Sequence, residues 1–210
     1  MNKLKSGFLL GMLLAAPVFA QAQDMAPDAL AKKVTEEVLA IIRTDKDIRA
    51  GNTKKVLDLV EEKVLPHFNF TRMTRLAIGA PWRQATSAQQ QSLTSEFRTL
   101  LVHTYTSAFT QYRDQVIVYR PLKLQPGETE VVVRSLIKQT NGADPIDVNY
   151  SMEKTDTSWK VYDVAIAGVS LVQNYRSTFN SEIQKSGIDG LIATLTNKNK
   201  ALARQQSAKK

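Results

Sequence analysis

The feature that most constrains this 210-residue chain is a change of hydrophobic period near its middle. Up to about residue 113, apolar residues recur at three- and four-residue steps, the spacing of a buried helical face. From Gln115 to Ala167 they alternate with polar residues, the spacing of strands with one dry face. The alternation is cleanest over Pro145–Lys154. There Ile146, Val148, Tyr150 and Met152 fall on one side, and Asp147, Asn149, Ser151 and Glu153 on the other. After Gly168 the helical spacing returns. Helices grouped around such a sheet specify an α+β fold, with a curved antiparallel sheet of about four strands wrapped by helices. A concave sheet face under helices is a natural place for a hydrophobic cavity.

Four segments read as strands: Gln115–Arg120, Thr129–Lys138, Pro145–Lys154 and Ser158–Ala167. Pro126-Gly127, Asn141-Gly142 and Thr155-Asp156-Thr157 separate them. Val131, Val133 and Ile137 mark the apolar side of the second strand. Ahead of the sheet, a helix opening at Pro27 carries Ala31, Val34, Val38, Ile41 and Ile42. Gly51-Asn52-Thr53 stops it and caps a second, with Val56, Leu57, Val60 and Val64. A short helix spans Phe70–Ile78. Ser87 reads as the N-cap of the longest helix, Ala88–Arg113. Its stripe is Leu93, Phe97, Leu100, Leu101, Thr104 and Ala108, flanked by Tyr105, Phe109 and Tyr112. Behind the sheet, Val169, Val172, Tyr175, Phe179 and Ile183 share one side of a helix from Ser170 to Lys185. Gly187 breaks it, and a last helix runs from Ile188 to about Lys200.

Residues 1–22 read as a secretory signal peptide: Lys3 and Lys5, an apolar run from Gly7 to Ala16, Pro17, and small residues that offer two cleavage frames, Val18-Phe19-Ala20 and the plainer Ala20-Gln21-Ala22. The run is shorter than the roughly 20 residues that span a bilayer. The expected organisation is therefore a signal at 1–22, one α+β domain over 23–200, and a polar, frayed tail over 201–210.

Losing Lys3 and Lys5 lowers the net charge from +8 to +6. An exported basic protein meets lipid headgroups and acidic surfaces rather than nucleic acid. With no cysteine, the chain has no disulfide, thiolate metal site, thiol nucleophile or lipoprotein anchor. His67 and His103 are the only histidines, so neither a histidine metal site nor a cofactor is expected. No phosphate loop, dinucleotide fingerprint, nucleophile elbow or zinc-protease motif is present. Asp163, flanked by Tyr162 and Val164, is the acid that best fits an enzyme.

The run Trp159-Lys160-Val161-Tyr162-Asp163-Val164-Ala165-Ile166-Ala167-Gly168-Val169-Ser170-Leu171-Val172-Gln173-Asn174-Tyr175-Arg176-Ser177-Thr178-Phe179 closely resembles the end of the MlaC family, also called the toluene-tolerance auxiliary family. Gly79, Trp82-Arg83, Phe97, Leu100-Leu101, Thr104-Tyr105 and Gly187–Ile192 agree with it. The resemblance implies a cystatin- or NTF2-like sheet with helices around it, and a soluble periplasmic phospholipid carrier that is not an enzyme. The implied partners are a two-chain phospholipid, an outer-membrane lipoprotein complex and an inner-membrane ABC transporter with an MCE-domain subunit. The implied role is outer-membrane lipid asymmetry, without stable membrane insertion.

On that reading the acyl tails lie against Leu101, Tyr105, Phe109, Val131, Val133, Ile146, Val148, Tyr150, Met152, Val164, Ile166, Val169, Val172 and Tyr175, with Arg83 and Arg176 at the pocket mouth. Two acyl chains carry about thirty methylenes, so passage through water costs about 25 kcal/mol at about 0.8 kcal/mol each. A dry protein face removes most of that cost. The volume required is about 1,000 Å³. Two other readings remain open: a small-molecule enzyme on an NTF2- or ketosteroid-isomerase-like cone, using Asp163, and an envelope interaction module whose apolar face is filled core.

Overall fold

The structure, a computed structural model, describes residues 25–110, 115–139 and 142–208. The expected signal peptide and Tyr112 lie outside them. Six α-helices are described: α1 Pro27–Thr44, α2 Lys46–Arg49, α3 Thr53–Lys63, α4 Phe70–Ile78, α5 Ser87–Thr110 and α6 Leu171–Ala208. Between α5 and α6 lie β1 Val116–Tyr119, β2 Glu130–Lys138, β3 Ile146–Lys154, β4 Trp159–Ile166 and β5 Val169–Ser170. The sheet is an antiparallel meander in chain order. The α+β reading is correct, with a fifth short strand added.

That strand corrects the place of Val169. Ala167 and Gly168 both take positive φ, 50° and 81°. Such a pair makes the tight turn that matches strand twist. It folds Val169 back against Ile166 as an edge strand, so Val169 precedes the helix rather than lying on its face.

Caps set the other boundaries. Asp45 breaks the first helix in two; its Oδ1 accepts from Asp47 N at 2.9 Å and Ile48 N at 3.0 Å. Asn52 caps α3 as expected. The cap of α5 is Thr86, not Ser87: Thr86 Oγ1 accepts from Gln89 N at 3.2 Å. Gly187 kinks α6 with φ 73° and ψ −175°. The expected frayed tail is instead helical to Ala208. Partners on α5 explain the difference. Asn199 Nδ2 donates to the Glu96 carbonyl at 2.9 Å, and Gln206 Nε2 to the His103 carbonyl at 3.0 Å.

Apolar side chains collect in three places. α4, α5 and α6 enclose a helical core around Ile78, Leu93, Phe97, Leu100, Phe179 and Leu191. The inner sheet face forms a second cluster. α1, α2 and α3 form a third, around Val38, Ile42, Val56 and Val60. The helical core is tied to the sheet by Arg72 of α4. Its guanidinium donates to Glu153 at 2.5 Å and Glu130 at 2.8 Å, and covers the Tyr162 ring at 3.7 Å. The Arg72 hydrogen bond holds the Glu130 carboxyl below its usual range. Asn69 adds bonds to Glu153 at 2.7 Å and to the Val161 carbonyl at 2.8 Å.

Candidate functional site: the inner face of the sheet

Register decides which side chains share the inner face. β2 and β3 pair Val131 with Met152, Val133 with Tyr150, Ser135 with Val148 and Ile137 with Ile146. β3 and β4 pair Tyr150 with Val164, but Met152 with Val161. The register slips between Ser151 and Met152, leaving Tyr162 as the extra residue of a bulge. The bulge keeps Trp159, Val161, Val164 and Ile166 on one face and turns Tyr162 toward the helical core. β1 adds Ile117 and Tyr119.

Burial on this face falls from one end to the other. Val131, Met152, Trp159 and Val161 are buried at one end, where Phe68 bridges to Val161. Val133, Ser135, Val148 and Val164 are buried in the middle. At the other end Ile117, Ile137, Ile146 and Ile166 are only half-buried. Val169 beside them is 57% exposed. Among the described residues the face is thus closed at the Trp159 end and open at the Ile146 end.

Helix α1 crosses the face. Leu30 and Ala31 pack on it, and Thr35 Oγ1 meets the Tyr119 hydroxyl at 2.6 Å. That hydroxyl also lies 3.2 Å from the Ala31 carbonyl, to which it donates. Tyr150 shares hydrogen bonds with Tyr119 and Ser135, and Ser135 donates to the Val148 carbonyl at 2.9 Å. Burial pushes both tyrosines well above the ordinary phenol range, so they stay neutral. These hydroxyls satisfy one another, so an apolar occupant leaves none of them stranded.

The expected wall residues divide. Val131, Val133, Ile146, Val148, Tyr150, Met152, Val164 and Ile166 come together here. Leu101, Tyr105, Val172 and Tyr175 pack into the helical core instead. Their stripe is wide because α5 meets both α4 and α6. Phe109 packs against α1 and α3. Arg83 and Arg176 are exposed, and the Arg176 guanidinium lies over Gly79, where a Cβ would come within 3.3 Å of it. Nothing places either arginine at the open end.

Sequence reasoning missed Ile117, Tyr119, Ser135 and Val161, and the covering residues Leu30, Ala31, Thr35 and Phe68. Alternation with Ile117 marks Tyr119. The bulge hides Val161, since counting by twos from Val164 lands on Tyr162. Asp163 is fully engaged: its carboxylate accepts from Val164 N at 2.9 Å, Val172 N at 3.1 Å and Ser170 Oγ at 2.5 Å. It is the clamp that starts α6. A separate shallow cleft of about 360 Å³ lies beyond the closed end, lined by Leu124–Thr129, Lys154 and Trp159. Among the described residues there is no metal-binding cluster and no helix able to cross a membrane.

The family model "MlaC protein" matches residues 32–197. The chain belongs to the MlaC family. Two relatives agree in sequence. The intermembrane phospholipid transport system binding protein MlaC of Haemophilus influenzae is 24% identical over 174 residues, 82% of this chain and 81% of its own. The toluene tolerance protein ttg2D of Pseudomonas putida is 24% identical over 182 residues, covering 86% and 83%. In structure, the MlaC-family fold here superposes on a phospholipid-binding protein from Ralstonia solanacearum, solved in complex with a phospholipid. The TM-score is 0.79 at 39% identity, over 85% of this chain and 99% of that one.

Proposed function

We propose that this protein is a periplasmic phospholipid carrier that holds acyl tails against the inner sheet face and performs no chemistry on them. The observation that carries the reading is the burial gradient on that face. Its inward side chains from Ile117 to Ile166 are apolar or aromatic apart from Ser135, and the face is closed at Trp159 and open at Ile146. The Ralstonia relative, solved with a phospholipid, supports the choice of ligand. Tails enter past Ile137, Ile146 and Ile166, α1 covers them, and the headgroup stays near solvent because burying a phosphate requires a paired charge.

Exchange between a bilayer and this face replaces one apolar surface by another, so the carrier itself needs no nucleotide. Direction comes from the relative affinities of donor and acceptor. The proposed donor and acceptor are an outer-membrane lipoprotein complex and an inner-membrane ABC transporter with an MCE-domain subunit, and the proposed outcome is outer-membrane lipid asymmetry. The test is native mass spectrometry of protein exported in cells and purified without detergent, followed by organic extraction. A mass excess that resolves into phospholipid is the expected result. A ligand-free mass that persists after incubation with lipid vesicles would overturn the reading.

A further inference from the structure

One strongly charged surface has no part in holding acyl tails. From Gly190 to the C-terminus the sequence contains Lys198, Lys200, Arg204, Lys209 and Lys210, and no acidic residue. The lysines of α1 and α3 are different. Lys32, Lys33, Lys54, Lys55 and Lys63 each have a carboxylate within 3.9 Å. Lys198, Lys200 and Arg204 are exposed and form no ion pair among the described residues.

Side-chain bonds fix how this part of α6 is turned. Gln89 Nε2 donates to Asp189 Oδ1 at 2.8 Å, Asn199 Nδ2 to Glu96 Oε2 at 2.7 Å, and Gln206 Oε1 meets His103 Nδ1 at 2.7 Å. Partner numbers rise together, so this part of α6 runs parallel to α5. Leu191, Leu195 and Asn199 are its buried stripe. At about 100° per residue, Lys200 and Arg204 fall on the side away from that stripe, with Lys198 on the flank. Complementing the helix dipole accounts for cations in the last turn only. Lys198 and Lys200 stand two turns or more before Ala208.

We propose that this outward face of α6 is an electrostatic docking surface for an anionic phospholipid bilayer. The choice of partner rests on the carrier reading, which requires the protein to visit membranes. The parallel course sets the end of α6 beside the end of α5. From Thr110, at that end, the chain reaches Val116 at the open end of the sheet face within six residues. Extended chain bounds the separation at about 20 Å. Each cation near an anionic leaflet is worth about fivefold in affinity, so the three together give about a hundredfold. The attraction is confined to a Debye length of about 10 Å at 0.1 M salt. Between Lys198 and Arg204 the one other exposed residue is Ala201, too small to insert. The contact is therefore reversible.

The experiment is flotation of the mature chain with phosphatidylcholine vesicles, with and without phosphatidylglycerol. Wild type is expected to float with the anionic vesicles and to release as salt rises. K198E/K200E/R204E is expected to lose more than about a hundredfold in affinity, because each exchange removes a cation and adds an anion. K32E/K54E, which removes two paired lysines, keeps wild-type binding. If the triple variant does not fold, K200Q/R204Q gives the same reading with a loss of about twentyfold. Binding that ignores phosphatidylglycerol, or a triple variant that binds like wild type, would overturn the proposal. So would wild type that floats with neither vesicle, which would point to an acidic protein surface as the partner. Lipid extracted from the same preparations separates the two claims. Lipid-loaded protein that ignores vesicles sinks the docking surface alone, whereas lipid-free protein sinks the carrier reading.

Discussion

The helical core and the inner sheet face are both apolar, yet they are finished differently. In the helical core Phe97, Tyr175 and Phe179 meet ring to ring at 5.0 to 5.5 Å, and Phe179 is 2% exposed. Three helices supply the contacts, and the large side chains face one another. On the sheet the large residues at one end, Ile137, Ile146 and Ile166, stay half-buried. A core that stabilises the fold must be filled to the density of a crystal. A face that takes a ligand must leave that filling to the ligand. Hydrophobic pattern is the same in both cases. The difference lies in what packs opposite.

The comparison can be broken from either side. Phe179→Ala should cost the most, about 3–5 kcal/mol, because it empties a site with rigid neighbours. Denaturant unfolding measures it, and the folded fraction should keep its lipid. Arg72→Met comes next. It leaves Glu153, whose side chain is 17% exposed, with the Asn69 hydrogen bond but no counter-charge, and should cost about 3 kcal/mol by the same measurement. An unchanged midpoint would mean that the two regions are not joined there. Ile146→Glu should do the reverse of Phe179→Ala. Stability should fall by about 1 kcal/mol or less, while lipid recovered by extraction drops about tenfold, since a carboxylate at the open end opposes acyl chains. Thr35→Val removes the side-chain bond from α1 to Tyr119, leaving the one to the Ala31 carbonyl, and should cost about 1 kcal/mol, measured by thermal melting.

The smallest effect concerns pH. Burial, and then the nearby Lys160 charge, lower the His67 pKa below its usual 6.5. The unfolded chain therefore binds the proton more readily. The stability contributed by neutral His67 is complete above pH 6.5 and is lost as pH falls from there through the folded value. His67→Asn should flatten the stability profile just below that pH, and an unchanged slope would remove His67 from the account.

The sheet is legible in the sequence because its evidence is local. Ile146 to Met152 alternate without interruption, and the turn residues stand where the strands end. Gly187 likewise announces the kink. What escapes depends on partners far away in sequence. Leu101, Val172 and Tyr175 have the same periodic signature whether they face a lipid or each other; only the packing of α5 on α6 decides. The tail looks too polar to order, but Asn199 and Gln206 order it through Glu96 and His103, each 103 positions away. An Ala-Gly turn carries a weak signal because alanine rarely takes positive φ, so β5 stays hidden. The bulge at Tyr162 hides Val161 in the same way, by breaking a count of two. Family resemblance reaches further than periodicity, because it concerns residue order rather than packing.

The central claim is that acyl tails occupy the sheet face and not the helical core. The most direct measurement is methyl NMR of wild-type protein labelled at isoleucine, leucine and valine and loaded with a phospholipid spin-labelled along its acyl chain. The account predicts that signals from Ile137, Ile146, Val148 and Ile166 broaden while those from Leu93, Leu191 and Leu195 stay sharp. Broadening of the second set with the first unaffected would contradict it.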